Sequence, residues 1–162
     1  MNKQAIPAPF EDRLTVQAEW LDPNGHMNVA FYLRAVDDGS NAFFDDIGLG
    51  WGYTQGGVGS IFVTGCNVDF RQELFAGNRL RVTTQLIDAS HKLIHCYAEL
   101  FNEDDGYLAA TCETLYMHIA FATRRSAPIP TSAQQRLTQI LSAHQALLGT
   151  PATLGRSLGI RR

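Results

Sequence analysis

The chain has 162 residues, 45% of them hydrophobic and 18% charged, values that describe a globular domain and exclude a disordered one. A formal net charge of −3 excludes the basic footprint that nucleic-acid binding requires. No apolar run approaches the ~20 residues of a spanning helix, and MNKQAIPAPF has no apolar core of signal-peptide length, so no membrane partner is expected.

The first periodic segment is RLTVQAEW. Leu14, Val16, Ala18 and Trp20 alternate with Arg13, Thr15, Gln17 and Glu19, which predicts a half-buried strand over residues 13–20. Pro23 and Gly25 break it. From Val29 the period becomes 3.6: Val29, Tyr32, Leu33, Val36, Ser40, Phe43, Phe44 and Ile47 share one face of a helix of about twenty residues. Asn28 is its candidate N-cap and Gly48 its C′ residue. Gly39 falls inside the helix at a cost of ~1 kcal/mol against alanine, which close approach of another backbone or side chain would explain.

Four strands follow in VGSIFVTGCNVDF, NRLRVTTQLID, KLIHCYAELF and YLAATCETLYMHIAFAT, joined by the short segments FAGN, DASH and NEDDG, as antiparallel neighbours would be. The last strand is long enough to require a curved sheet. After RRSAPIP, Ser132 and Gln135 form a capping-box pattern, and Leu137, Ile140, Leu141, His144 and Leu148 form the apolar stripe of a second helix over about 132–148. Residues 149–162 read as a basic, peripheral tail. The expected fold is α+β: one domain over 1–162, core about 12–125, in which a single antiparallel sheet of about five strands wraps one long helix.

The chemistry concentrates in EWLDPNGHMNVAFYL. Taken alone, Asp22-Pro23-Asn24-Gly25 is an ordinary turn, His26 an ordinary half-buried histidine and Asn28 a helix cap. Four polar groups at fixed spacing before a helix N-terminus, where orphan N–H groups and the positive dipole end coincide, also suit a reacting carbonyl. Asp38, ten residues beyond Asn28, is a rival carboxylate. It stands ~15 Å along the helix axis from those donors and reads as a helix surface charge. His91 and His95 have i, i+4 spacing on a turn and a strand, so no metal pair is expected. His118 shares the parity of Tyr116 and Cys112 and reads as packed. Cys66, Cys96 and Cys112 lie in strand-like segments without a CxxC and read as free buried thiols of a reducing cytoplasm.

The D-x-N-G-H-M-N run between strand and long helix, with FFDDIGL and DFRQELFAGNRLRVTTQLID, resembles the hot-dog fold thioesterases over roughly Asp12–Pro130. Asp22, Asn24, His26 and Asn28 also reproduce a D-x-N-x-H-x-N pattern of the plant acyl-ACP thioesterases. EWLDPNGHMN, HKLIHCYAEL, LAATCETLYMHI and GRSLGI look like the betainyl-CoA thioesterases of carnitine breakdown. Gly65 departs from that branch, where an acidic residue often stands. Some of its members are fused to a dehydrogenase, for which there is neither a G-x-G-x-x-G segment nor the length here.

The resemblance implies an acyl-CoA thioesterase with Asp22, Asn24 and His26 as catalytic residues. Asp22 would act as nucleophile, giving a mixed anhydride, or as general base on water. The amide of Val29 or a near neighbour would hold the oxyanion. Asn24 would orient the carboxylate or the water, and His26 would bond the thioester carbonyl or Asn24. A quaternary ammonium acyl group would need an aromatic cage, with Trp20, Trp51, Tyr53 and Phe62 as candidates and Asn28 as a further substrate contact. No cofactor is implied beyond the CoA of the substrate. Arg71, Arg79, Arg81, Lys92, Arg124, Arg125, Arg161 and Arg162 are available to its phosphates. The family also implies a homodimer or homotetramer with sites near the subunit interface. Two alternatives are a hot-dog enoyl-CoA hydratase and a non-catalytic acyl-CoA-binding module. In the hydratase pattern histidine follows aspartate by five residues, whereas Asp22 and His26 are four apart.

Overall fold

The computed structural model describes residues 5–156. The first strand, β1, is Phe10–Thr15. It starts and stops earlier than the alternating pattern predicts, and Ala18–Trp20 instead forms a 3₁₀ turn. Beyond β1 the alternation holds only in part: Val16 is buried and Trp20 half-buried, but Ala18 is exposed on the turn. Helices α1 (Val29–Asp38), α2 (Asn41–Asp46) and α3 (Trp51–Gln55) come next. Strands β2 (Gly59–Phe70), β3 (Arg79–Ala89), β4 (Leu93–Asn102) and β5 (Leu108–Ala120) follow within two residues of their expected starts, and the short β6 (Arg125–Ser126) pairs with β5. The chain closes with α4 (Thr131–Leu147). All pairings are antiparallel, in the order β1-β3-β4-β5-β2.

The long helix is broken at Gly39–Ser40, which corrects the expectation of one continuous helix. A Cβ on Gly39 would stand 2.5 Å from Val82 Cγ2, so the backbone here lies directly on β3. Ser40 turns its hydroxyl back to the Val36 carbonyl at 2.8 Å and across to Thr84 at 3.2 Å, competing with the helical ladder. The new helix start is capped by Asp12 of β1, whose carboxylate accepts from the Ala42 amide at 2.8 Å. At the other end Gly48 has φ +73, the left-handed C′ conformation that glycine adopts without strain.

Two apolar clusters fill the space under the sheet. One joins Met27, Tyr32, Ala35 and Val36 to Leu80, Val82, Leu100 and Cys112; the other joins Phe43, Phe44, Ile47 and Leu49 to Leu86, Ile94, Tyr116 and the inner face of α4. Each fully buried side chain such as Phe43 or Leu100 contributes about 1.5–3 kcal/mol. The capping box at Ser132 does not form: α4 begins at Thr131 behind Pro130, and Gln134 bonds the Ile129 carbonyl instead. Its apolar stripe does face inward at Leu137 and Ile140. His144 is wholly buried there, accepting from the Leu86 amide at Nδ1 and donating from Nε2 to the Pro7 carbonyl.

The two sheet edges differ. Across β1, Glu11 and Arg13 form ion pairs with Arg81 and Glu103, the charged protection typical of a free edge. Among the described residues strand β2 pairs only with β5, and it exposes Phe62, Val63 and Phe70, with Asp69 its one charged residue. Cys66 is exposed on this strand, against the expectation of a buried thiol, while Cys96 and Cys112 are buried.

Candidate active site

Residues Leu21 to Asn28 form a closed loop at the head of α1. Leu21 and Met27 make an antiparallel bridge, and the Asp22 amide donates to the His26 carbonyl. Between them Asp22 makes an Asx turn, accepting the Asn24 amide on Oδ1 at 2.8 Å and the Asn24 side-chain nitrogen on Oδ2 at 3.3 Å. Gly25 completes the reversal at φ +84, a conformation that any side chain would strain. The loop is fixed from below by the buried Met27, whose amide donates to the Leu74 carbonyl at 2.7 Å, and by the Asn28 amide on the Trp20 carbonyl.

Asn28 caps α1, accepting the Ala30 amide on Oδ1 at 3.0 Å, and its carbonyl takes the Phe31 amide. Among the described residues the Val29 amide has no protein acceptor. One half-exposed carboxylate and one unengaged helix N-terminal donor thus occupy the same loop–helix junction. His26 sits loosely beside them, with Nδ1 3.4 Å from the Met27 carbonyl and Nε2 3.8 Å from the Glu73 carboxylate. Trp20 stacks on Phe31 at 5.4 Å and walls one side.

The four aromatic cage candidates do not converge within one chain. Trp20 belongs to the motif end. Trp51 lies 61% exposed at the lip of a cavity of about 100 Å³ at the opposite end of α1, lined also by Asp37, Asp38, Asn41, Phe44 and Tyr116. Tyr53 donates to His118 Nε2 at 2.8 Å, and His118 Nδ1 bonds the Ala127 carbonyl at 3.0 Å, so both are structural and hold α3 against the sheet. Phe62 lies on the opposite face of β2 from the cavity residue Ile61, near the Arg124 guanidinium. Asp38 pairs with Arg34 one helical turn away, in keeping with a helix surface charge. Burial pushes the Asp37 carboxyl above its ordinary range and the Asp38 charge adds to this, while Arg34 opposes it.

Sequence reasoning missed this cavity because it depends on the break at Gly39 and on α3, neither of which the 3.6-residue pattern announces. Of the candidate CoA cations, Arg71, Arg79 and Arg81 are held in ion pairs, whereas Lys92, Arg124 and Arg125 have none among the described residues. Arg161 and Arg162 lie outside those residues. Among the described residues no cluster of His, Cys, Asp and Glu could hold a metal ion, and no helix is long and apolar enough to cross a membrane.

A curled antiparallel sheet holding a helix, with an acidic loop at that helix's N-terminus, is the hot-dog arrangement of thioesterases. The sequence model of the Thioesterase-like superfamily matches residues 16–137. A betainyl-CoA thioesterase of Pseudomonas aeruginosa is 32% identical over 90% of this chain and 91% of its own length. A fused L-carnitine dehydrogenase/betainyl-CoA thioesterase of Rhizobium meliloti is 31% identical over 91% of this chain, which spans only 29% of that longer protein. Among solved structures, a Staphylococcus aureus hypothetical protein in complex with CoA superposes with a TM-score of 0.85 at 29% identity, covering 99% of this chain and all of that one. A putative thioesterase of Pseudomonas putida does so with a TM-score of 0.81 at 27% identity, over 98% of this chain and 100% of its own. The chain belongs to the Thioesterase-like superfamily, and it is a thioesterase of hot-dog fold.

Proposed function

We propose that this enzyme hydrolyses acyl-CoA thioesters in the cytoplasm, with betainyl-CoA as its substrate, and works as a dimer. The observation that carries the catalytic part is the junction of the Asp22 carboxylate with the unengaged Val29 amide at the start of α1. Asp22 attacks the thioester carbon, forming a mixed anhydride as the thiolate leaves, and water then hydrolyses the anhydride to the free acid and the Asp22 carboxylate; or Asp22 takes a proton from a water that attacks the thioester carbon directly. The Val29 N–H, at the positive end of the helix dipole, receives the charge that develops on the carbonyl oxygen. Asn24 orients the carboxylate through its two bonds, and His26 stands ready to bond the carbonyl. The printed names of the relatives and the CoA held by the Staphylococcus aureus structure support the substrate class.

The dimer reading rests on β2. Its outer edge carries open backbone groups and exposed Phe62, Val63 and Phe70, whereas β1 is guarded by ion pairs. Pairing of two β2 edges about a two-fold axis gives one continuous sheet. Arg124 and Arg125, which have no ion pair among the described residues and follow β5 opposite the start of β2, are then placed to meet CoA phosphates at its ends.

The test is thiol release over a panel of acyl-CoA esters that includes betainyl-CoA, with Asp22→Asn in parallel. Asparagine keeps the acceptor for the Asn24 amide, so folding is retained while the ionised oxygen is lost. We expect turnover of betainyl-CoA and a fall of about 100-fold or more in the variant. Release from no ester, or release by Asp22→Asn at the wild-type rate, refutes the assignment.

A further inference from the structure

The cavity at the far end of α1 stands apart from the catalytic loop of its own chain. Asp37 and Asp38 lie eight and nine residues beyond Val29, ~12 Å along the axis, too far for a short acyl group held at Asp22 to reach. A second copy changes this. The cavity is lined by Ser60 and Ile61, at the start of β2. The end of β2 marks the motif: Phe70 packs edge-on against Tyr32 at 5.2 Å, the Gln72 carbonyl accepts from the Tyr32 hydroxyl of α1, and the Leu74 carbonyl accepts from the Met27 amide of the loop. Antiparallel pairing of two β2 strands about their middle brings Ser60–Ile61 of one copy opposite Asp69–Phe70 of the other. Each cavity then meets the partner copy's catalytic loop.

The cavity chemistry is specific. Asp38 is taken by Arg34, but Asp37 has no cation within ion-pair distance among the described residues. Trp51, Phe44 and Tyr116 supply aromatic walls, and Trp51 is largely exposed at the rim, where a ligand would cover it. Excess negative charge flanked by aromatic surface attracts an organic cation, through charge and through the aromatic quadrupole together. A neutral aliphatic acyl group would leave Asp37 desolvated and unpaired.

Resting on the reading above, we propose that Asp37 and Trp51 form the subsite for a quaternary ammonium acyl group, presented to Asp22 of the other subunit. The closest neutral test of the charge is tert-butylacetyl-CoA, which has the shape of betainyl-CoA with carbon in place of nitrogen. In Asp37→Asn and in Trp51→Leu, the ratio of kcat/KM for betainyl-CoA over tert-butylacetyl-CoA should fall about tenfold. An unchanged ratio overturns the subsite. Hydrolysis of tert-butylacetyl-CoA without betainyl-CoA by the wild type also overturns it while leaving the thioesterase intact.

The arrangement between subunits is tested by co-expressing Asp22→Asn and Asp37→Asn chains and purifying the mixed dimer. If the two residues act across the interface, one of its two sites carries both intact carboxylates. It should then restore about half of wild-type betainyl-CoA turnover, against about a twentieth if they act within one chain. If the wild type releases CoA from neither ester, tetramethylammonium chloride titrated against tryptophan fluorescence decides the matter. A saturable change that sodium chloride does not produce, and that Asp37→Asn abolishes, supports the subsite; no such change overturns it.

Discussion

Replacing Gly39 with alanine should destabilise the protein even though nothing in its own backbone forbids a side chain. Its φ of −82 is ordinary for any residue, so the usual gain from removing a glycine, about 0.4–1 kcal/mol through the unfolded chain, is available. Against it, the new Cβ would stand 2.5 Å from Val82 Cγ2, 2.6 Å from Val82 Cβ and 2.8 Å from the Ala35 carbonyl oxygen. Val82 is fully buried in a central strand and cannot swing away, so α1 must lift from the sheet. Overpacking of this kind costs about 1–3 kcal/mol, which leaves a net loss of about 1–2 kcal/mol. For a domain of this size that lowers Tm by about 3–8 °C at a fixed protein concentration. Val82→Ala removes only the nearer of the two carbon contacts, so the double variant should recover part of the loss beyond additivity. Thermal and urea denaturation of the four proteins completes the cycle. A stabilised Gly39→Ala, or a cycle that is additive, would refute the claim that contact with Val82 is what requires glycine here.

Val63→Asp places a charge on the exposed β2 edge; sedimentation should show a monomer, with turnover lost alongside, and a wild type that is already monomeric would sink the shared-sheet dimer. His144 is pushed below its ordinary 6.5 by burial, against the opposing bond to the Pro7 carbonyl, so the unfolded chain takes up the proton first as pH falls. Stability should therefore be full above about pH 7 and decline below 6.5, by at most about 1.4 kcal/mol per pH unit from this group. His144→Gln can keep both hydrogen bonds without titrating, and its denaturation curves should lack that slope between about pH 7 and 5.5; an unaltered slope refutes the assignment. Asp12, Asp37 and Glu99, partly desolvated, are raised instead and act in the opposite sense at lower pH, and they cancel in the comparison.

What the sequence announced and what it hid divide along the axis of one helix. The motif end was legible because its signals are local. An aspartate two residues before an asparagine makes an Asx turn, Gly25 supplies the positive φ, and Asn28 caps whatever helix follows. The sheet was legible for a similar reason, since period-two alternation and short turns specify antiparallel neighbours. The far end was not. The break at Gly39–Ser40 follows from contact with Val82 and Thr84, more than forty residues away in sequence, and Asp12 caps α2 from β1. The aromatic candidates lie close in sequence to the motif or to the strand that follows the helix, yet Tyr53 is spent on His118 and Trp51 lines the cavity at the far end of α1. A short substrate cannot bridge the two ends of α1, and β2 runs so that its own two ends mark the motif and the cavity. The proposed two-fold pairing of that strand would do what no folding of the single chain can do, bringing the legible half of one site against the hidden half of another. On this reading the exposed apolar edge at Phe62 and Val63 is part of the catalytic apparatus, and separating the subunits should abolish turnover even where each chain remains folded.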